Sequence, residues 1–560
     1  MLSFVLVLLA GTAITDAIGN DDLVTNLPGL LFKANFDTYS GYLNSNDDSS
    51  WQMHYWLFES RYDKGKDTDP LLVWFNGGPG CSSVSGMFEE LGPFYVTQDG
   101  TLYENVHSWN QRANVLALES PIGVGFSYNK NVKNFTDAND DQTANQNYAA
   151  LKDFFTRVQT RFGNRDFYLS GESYAGIYIP TLSKLIVDGI QSGDFPNANF
   201  KGAAIGNGFM DVPKLMNSLV LWGYYHARMS VQDWDTIKSE CGNGATDVEK
   251  YNFMQYFQSD NGMDYYSDGS YCGNLTAPML TMDANMDQYN YYQDCYAGSA
   301  IVLPNVRRGT KNVERRVKRS TFIANSANPA DDQWQDSTDT QRGYPCWNED
   351  AVTAYFNRDD VQKALHIPQE WKDQTGKWTD CNDPMYDNYQ LKYSTTSDFF
   401  DHVLRNYNSS FRFLIYNGDV DTVCNYLGDA WLMRDVAYNN GLDSDDRIQW
   451  YYRNQSAGYA QHYQNADGSK VIDLVTVKGA GHFVPNDRPG PSAQMITNFL
   501  FPDQVNGPID YSSSKIANPV PAPLPLIYDP EDKPTTTTQS TSTVSLLLGA
   551  SLVFLVRNHV

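Results

Sequence analysis

The stretch Phe167-Tyr168-Leu169-Ser170-Gly171-Glu172-Ser173-Tyr174-Ala175-Gly176 decides how this chain of 560 residues is read. An apolar run feeding a glycine-flanked serine describes a strand that turns sharply into a helix. The serine hydroxyl is then held out at a sheet edge as a nucleophile. Glycine at 171 lets such a turn close without a Cβ clash, and the small Ala175 admits the helix behind it. Helical spacing resumes at Ile177, Leu182, Leu185 and Ile186. Alanine stands at 175 where the strict pattern has glycine, so the motif alone is approximate.

A nucleophilic serine needs a base and a group that orients the base, and behind this kind of turn they follow in the order serine, acid, histidine. The chain has only eight histidines. His482 lies in Gly479-Ala480-Gly481-His482-Phe483-Val484-Pro485, just after the strand-like Asp473-Leu474-Val475-Thr476-Val477, and is the candidate base. Upstream, Phe411-Arg412-Phe413-Leu414-Ile415-Tyr416 runs into Asn417-Gly418-Asp419-Val420-Asp421. Asp419 could bond its own turn backbone instead of the histidine, and spacing does not separate it from Asp421. Acyl transfer also needs donors aimed at the developing oxyanion. The N–H of Tyr174, after the nucleophile, is the first. The second is sought where Leu71-Leu72-Val73-Trp74-Phe75 opens into Asn76-Gly77-Gly78-Pro79-Gly80, because that glycine density suits bare-backbone recognition.

Five elements in order resemble the serine carboxypeptidase family (peptidase family S10). They are Trp74 to Ser83, Glu119-Ser120-Pro121-Ile122-Gly123-Val124-Gly125-Phe126-Ser127-Tyr128, Gly171 to Gly176, Asn417 to Cys424, and Gly479 to Pro485. The match runs from about Leu27 to about Phe501, is weakest between 240 and 345, and is most similar to the lysosomal, cathepsin A-type members. The resemblance implies an α/β-hydrolase fold. It selects Asp421 as the acid, with Asp419 as structural neighbour, and gives the second oxyanion donor to Gly78. It also implies that Asn76, Glu90 and Glu172 hold the terminal carboxylate of a peptide. Two such glutamates at contact cannot both ionise, so one keeps a proton and donates to the substrate, which makes peptide hydrolysis an acid-pH activity. Phe483 stands where the family often has methionine. Cys424, three residues past Asp421, resembles the members that favour apolar C-terminal residues.

Composition fits this picture. The chain is 41% hydrophobic and carries a net charge of −25, which suits a large core and argues against nucleic acid as a partner. Mean hydropathy is −0.49, so this is not a multi-spanning membrane protein. Leu2 to Ala10 is an apolar run followed by small residues, which reads as a signal peptide over 1–17. Sequons at Asn134, Asn274, Asn408 and Asn454 agree with a secretory route. Seven cysteines suggest three bridges and one leftover, and six cysteines allow 15 pairings. The resemblance implies Cys81–Cys381, Cys241–Cys272 and Cys295–Cys346, with Cys424 free; its place near the acid predicts sensitivity to mercurials.

Strand-like runs at Leu71–Phe75, Val115–Leu118, Phe167–Leu169, Ala203–Ile205, Phe411–Tyr416 and Asp473–Val477 alternate with helical patterns. That rhythm predicts an α/β protein with a mainly parallel sheet covered by helices on both faces. The core comprises 18–206 and 346–503. Between them the rhythm stops, and the Tyr-, Asp- and Asn-rich 207–345 reads as a cap insertion that favours chain ends over internal bonds. Its basic cluster Arg307 to Arg319 fits either a processing site, nicked to give two disulfide-held chains, or a solvated loop. Residues 504–560 read as a Pro/Thr-rich stalk and an apolar tail. The apolar run at 544–556 makes a helix of about 20 Å, short of a hydrocarbon core of about 30 Å. A glycolipid-anchor signal, a short membrane helix and no anchor all remain open.

The sequence therefore predicts a serine-type carboxypeptidase that releases single, preferentially hydrophobic, C-terminal residues at acid pH. No metal or other cofactor is expected, since no His/Glu cluster has zinc-ligand spacing. The partners are peptides with a free C-terminus, and a homodimer is allowed. The destination is the lysosome or the cell exterior, with surface anchoring left open. Two other readings are acyl transfer to an alcohol with the same residues and a protective or scaffolding role toward other hydrolases.

Overall fold

The alternation of side chains along a strand accounts for the core. Leu71, Val73 and Phe75 enter one apolar cluster with Leu169, Ile205, Ile415 and Leu474, while Leu72 and Trp74 enter another with Ala204, Leu414, Tyr416 and Val475. Strands this apolar on both faces need a cover on both faces. The computed structural model describes residues 21–527, except 98, 243, 281–285, 294–348, 408–409, 469–470 and 504–506. The signal peptide, the Cys295–Cys346 pairing, Asn408, the basic cluster at 307–319 and the run at 544–556 lie outside the described residues.

Ten strands form the path of a twelve-stranded sheet. In chain order they are β1 (Thr38–Asn44), β2 (Trp51–Phe58), β3 (Leu71–Phe75), β4 (Asn114–Leu118), β5 (Phe167–Ser173), β6 (Phe200–Gly208), β7 (Arg412–Gly418), β8 (Asp443–Ser444), β9 (Gln455–Gln464) and β10 (Val471–Val477). Their spatial order is β1-β2-β4-β3-β5-β6-β7-β10-β9-β8, with Tyr128–Asn129 beside β2 and Ile448–Tyr452 beside β9. From β4 to β10 all neighbours are parallel. Antiparallel strands flank that block on both sides.

Seven helices matter for the site: α1 (Ser83–Glu89), α2 (Asp140–Asp153), α3 (Ala175–Ser192), α4 (Val212–Tyr225), α5 (Ser397–Asn406), α6 (Tyr426–Asn439) and α7 (Pro489–Leu500). The apolar sides of α2, α3, α5 and α6 join the first cluster, and those of α1 and α7 join the second. The C-terminal ends of β3, β5, β6, β7 and β10 thus open side by side, where parallel α/β sheets place their sites.

Past β6, α4 and the chain to Leu280 pack round a core of their own, with Val220, Trp234, Ile237, Tyr251 and Phe253 buried beside the Cys241–Cys272 disulfide. Residues 507–527, within the segment expected to form a stalk, lie on the body. Tyr511 is buried and donates to Asp473 Oδ2 at 2.7 Å, while Lys33 N–H donates to Pro525 O at 2.8 Å and Ile527 N–H to Leu31 O at 2.7 Å. Proline removes donors from this segment, but its carbonyls still pair with the N-terminal strand region.

Candidate active site

Ser173 ends β5 at φ 60°. A non-glycine residue there carries strain of about 1–3 kcal/mol and persists only when its surroundings hold it. Here α3 starts two residues on, and Phe209 N–H donates to Ser173 O at 2.7 Å. Gly171 is required, since a Cβ there would lie 2.3 Å from Phe75 O and 2.7 Å from the Ala175 Cβ. That contact also explains why 175 carries a side chain no larger than alanine.

The glycine-rich loop after β3 meets this turn directly. A Cβ on Gly77 would stand 2.5 Å from Tyr174 N and 2.7 Å from Ser173 Cβ. Gly78 follows at φ 110°, and Cys81 is bonded to Cys381 across 300 residues of sequence. The Tyr174 ring stacks on Phe209, and its hydroxyl donates to Asp140 Oδ1 at 2.8 Å.

The two aspartates part company in space. Asp421 Oδ2 lies 2.7 Å from His482 Nδ1 and also accepts from Cys424 N–H at 3.0 Å, while Oδ1 accepts from Val423 N–H at 2.8 Å. Asp419 accepts Gly479 N–H at 2.7 Å, so it braces the turn leading to His482. Both Asp421 and His482 are buried. Cys424 is buried as well, and burial pushes its thiol well above the ordinary range. Asn207, which the sequence reading missed, sits at φ 40° near the end of β6. Its Nδ2 donates to Asp421 Oδ2 at 2.9 Å and its Oδ1 accepts Gly418 N–H at 2.9 Å. The only sequence signal was its place at a strand end between Gly206 and Gly208.

Beside the nucleophile, Asn76 Nδ2 donates to Glu90 Oε1 at 3.1 Å and to Glu172 Oε1 at 3.0 Å. Trp74 Nε1–H fixes that amide by donating to its Oδ1 at 2.6 Å. Glu90 is 4% exposed and Glu172 2%, and the Oε2 of each has no hydrogen-bond partner among the described residues. Burial pushes Glu90 up to about 7. Burial, then the charge of Glu90, pushes Glu172 well above the carboxylate range. The pair can hold a proton at mildly acid pH and present it as a donor.

The Glu119–Tyr128 motif serves the frame. Buried Glu119 lies 2.8 Å from His54 Nδ1, accepts Phe126 N–H at 2.7 Å and Trp378 Nε1–H at 3.0 Å, and also bonds Ser82, the cap of α1. Asn134, Asn274 and Asn454 are exposed. Among the described residues no group of three His, Cys, Asp or Glu side chains could hold a metal, and no helix is long and apolar enough to cross a membrane.

A serine strained at a strand-to-helix turn, a histidine on a buried aspartate and a mainly parallel sheet define an α/β hydrolase. The sequence profile of the serine carboxypeptidase family matches residues 28–502, and the chain belongs to that family. It is 53% identical to serine carboxypeptidase ctsa-3.1 of Caenorhabditis elegans, over 90% of this chain and 92% of that one. It is 33% identical to the lysosomal protective protein of Mus musculus, over 88% and 97%. Among solved structures, the Saccharomyces cerevisiae prohormone-processing carboxypeptidase Kex1(delta)p superposes with a TM-score of 0.62 at 21% identity, over 86% and 96%. That likeness concerns the fold.

Proposed function

We propose that this carboxypeptidase removes single residues, preferentially hydrophobic ones, from peptide C-termini at acid pH. Ser173 attacks the scissile carbonyl, His482 takes the hydroxyl proton and later gives it to the leaving amine, and Asp421 holds the imidazole in the required tautomer. The N–H groups of Gly78 and Tyr174 receive the oxyanion, and the acyl-enzyme is then hydrolysed. Asn76, Glu90 and Glu172 receive the terminal carboxylate.

One observation carries the exopeptidase reading: the buried Glu90–Glu172 pair shares the Asn76 amide immediately before the nucleophile. An ester donor without a free carboxylate has no use for such a pair, which argues against acyl transfer. In this reading the described part of the insertion past β6 serves as a cap that narrows access to chain ends. The exposed sequons and the likeness to a lysosomal relative support a secretory route ending in the lysosome or outside the cell.

The test is hydrolysis of an N-blocked dipeptide such as Z-Phe-Leu and of its C-terminal amide, from pH 4 to pH 8. Leucine release that favours the free acid at low pH, and disappears in Ser173→Ala, is the expected result. Equal turnover of acid and amide would remove the carboxylate-binding role from the glutamate pair.

A further inference from the structure

Residues 286–293 lie against both loops that carry the acid and the base. Thr422 donates to Gln288 O through its N–H at 3.2 Å and its Oγ1 at 2.6 Å, and Tyr291 N–H donates to Val420 O at 3.0 Å. His482 N–H donates to Tyr289 O at 2.6 Å. The Tyr289 ring centre stands 5.1 Å from those of His482 and Phe483. A Cβ on Gly481 would lie 2.0 Å from Tyr289 O and 2.8 Å from Asn290 Cβ, so the segment seats on bare backbone.

A carboxyl group closes this strap. Asp487, on the short helical turn Val484–Asp487, accepts Gly481 N–H at 2.7 Å and Asn290 Nδ2–H at 2.9 Å, both on Oδ2. We propose that Asp487 and Asn290 are positioning residues for His482, clasping the 286–293 strap to the histidine loop and so fixing where the imidazole sits. The proposal rests on the reading of His482 as the base. Two attachments then locate that residue: Asp421 holds its ring, and the strap holds its backbone.

Packing alone gives no reason for a carboxyl at this point. Burial pushes Asp487 up to about 7, and the acidic groups facing it, Asp287 on the strap and Glu90 across the site, add to the rise. Burying such a group costs stability unless its hydrogen bonds do something an apolar side chain cannot. When Asp487 is protonated on Oδ1, Oδ2 still accepts both donors, so the clasp survives in acid. An asparagine at 487 reproduces that neutral form.

The experiment uses the full chain carrying Asp487→Ala, Asp487→Asn, Asn290→Ala, the Asn290→Ala/Asp487→Ala double change and His482→Ala. Steady-state kinetics on Z-Phe-Leu are measured together with the rate at which a fluorophosphonate labels Ser173. A displaced base costs on the order of 10- to 100-fold. Asp487→Ala and Asn290→Ala should each lose about that much in kcat and in labelling, with KM within about twofold. The double change should be no worse than the poorer single change, because the two residues act through one contact. Asp487→Asn should recover most of the loss, and do so best in acid. If Asp487→Ala fails to fold, Asn290→Ala and Asp487→Asn decide the matter alone. Unchanged kcat in Asn290→Ala, or an Asp487→Asn enzyme as slow as Asn290→Ala, overturns the clasp. Full turnover in His482→Ala would instead remove the reading on which the clasp depends, whereas an inactive His482→Ala beside unimpaired clasp variants overturns the clasp only.

Discussion

Glu90 and Glu172 meet on a single amide, with Asn76 Nδ2 3.1 Å from one carboxyl and 3.0 Å from the other. The two residues come from the end of α1 and the end of β5, 82 positions apart in sequence, and neither carboxyl is open to solvent.

This pair predicts a KM that rises with pH. Glu90 is raised to about 7 and Glu172 well above the ordinary carboxylate range, so near pH 5 the pair holds a proton and can donate to a carboxylate. As pH passes about 7 a negative charge develops against the substrate terminus. In Glu172→Gln the amide stays a neutral donor, so the rise in KM between pH 5 and pH 8 should shrink. A profile as steep as that of the unaltered enzyme would move the effect elsewhere.

Stability should follow the same groups. Glu90, Glu172 and Asp487 all have folded-state values above their ordinary ones. Their contribution is therefore fully present below the ordinary carboxylate value and is lost as pH rises through the raised values, about 7 for Glu90 and for Asp487. Each tenfold gain in proton affinity on folding corresponds to about 1.4 kcal/mol, so the loss is on the order of a few kcal/mol. Thermal melts of the substrate-free protein should fall between pH 5 and pH 8, and less so in Asp487→Asn.

Asn207→Ala removes the amide that holds Asp421 and leaves a buried carboxylate short of a donor. The expected costs are about 1–3 kcal/mol in stability and a fall in kcat larger than any change in KM. Urea unfolding and steady-state kinetics on the same sample separate the two.

Cys424 predicts a different behaviour. Its thiol is fully buried and its N–H bonds the Asp421 carboxylate, so a mercurial can inhibit only by disturbing the acid from within. Inhibition should be slow, and Cys424→Ser should keep turnover while losing that inhibition. Loss of turnover in Cys424→Ser would give the thiol more than a bystander's part.

The parts of the site that were legible in sequence are those carried by special turns. Gly171, Gly77 and Gly78 mark backbone that a side chain would obstruct, and each flags a functional neighbour. Spacing did not separate Asp419 from Asp421, because both lie in one short loop and only the third dimension gives one to Gly479 and the other to His482. Asn207, Asn290 and Asp487 were missed for a related reason. An asparagine or aspartate at a strand end or in a loop is ordinary, and its partners here lie up to 217 residues away. The six parallel strands were predictable from their apolar runs. The packing of 507–527 was not, since proline-rich sequence says nothing about where its carbonyls find donors.

The order of the strands has a consequence for synthesis. The residues proposed as nucleophile, oxyanion donors and carboxylate-binding trio all come from the chain before β7, whereas the proposed acid and base arrive with β7 and β10. β7 pairs with β6 more than 200 residues later in the sequence, and β10 pairs in turn with β7. On those roles, a nascent chain that has emerged only as far as β6 carries the residues to grip a peptide end and a serine, but nothing to draw off its proton. On the proposed roles, hydrolysis waits until β7 and β10 dock, so a half-made molecule is not expected to cut the proteins folding around it.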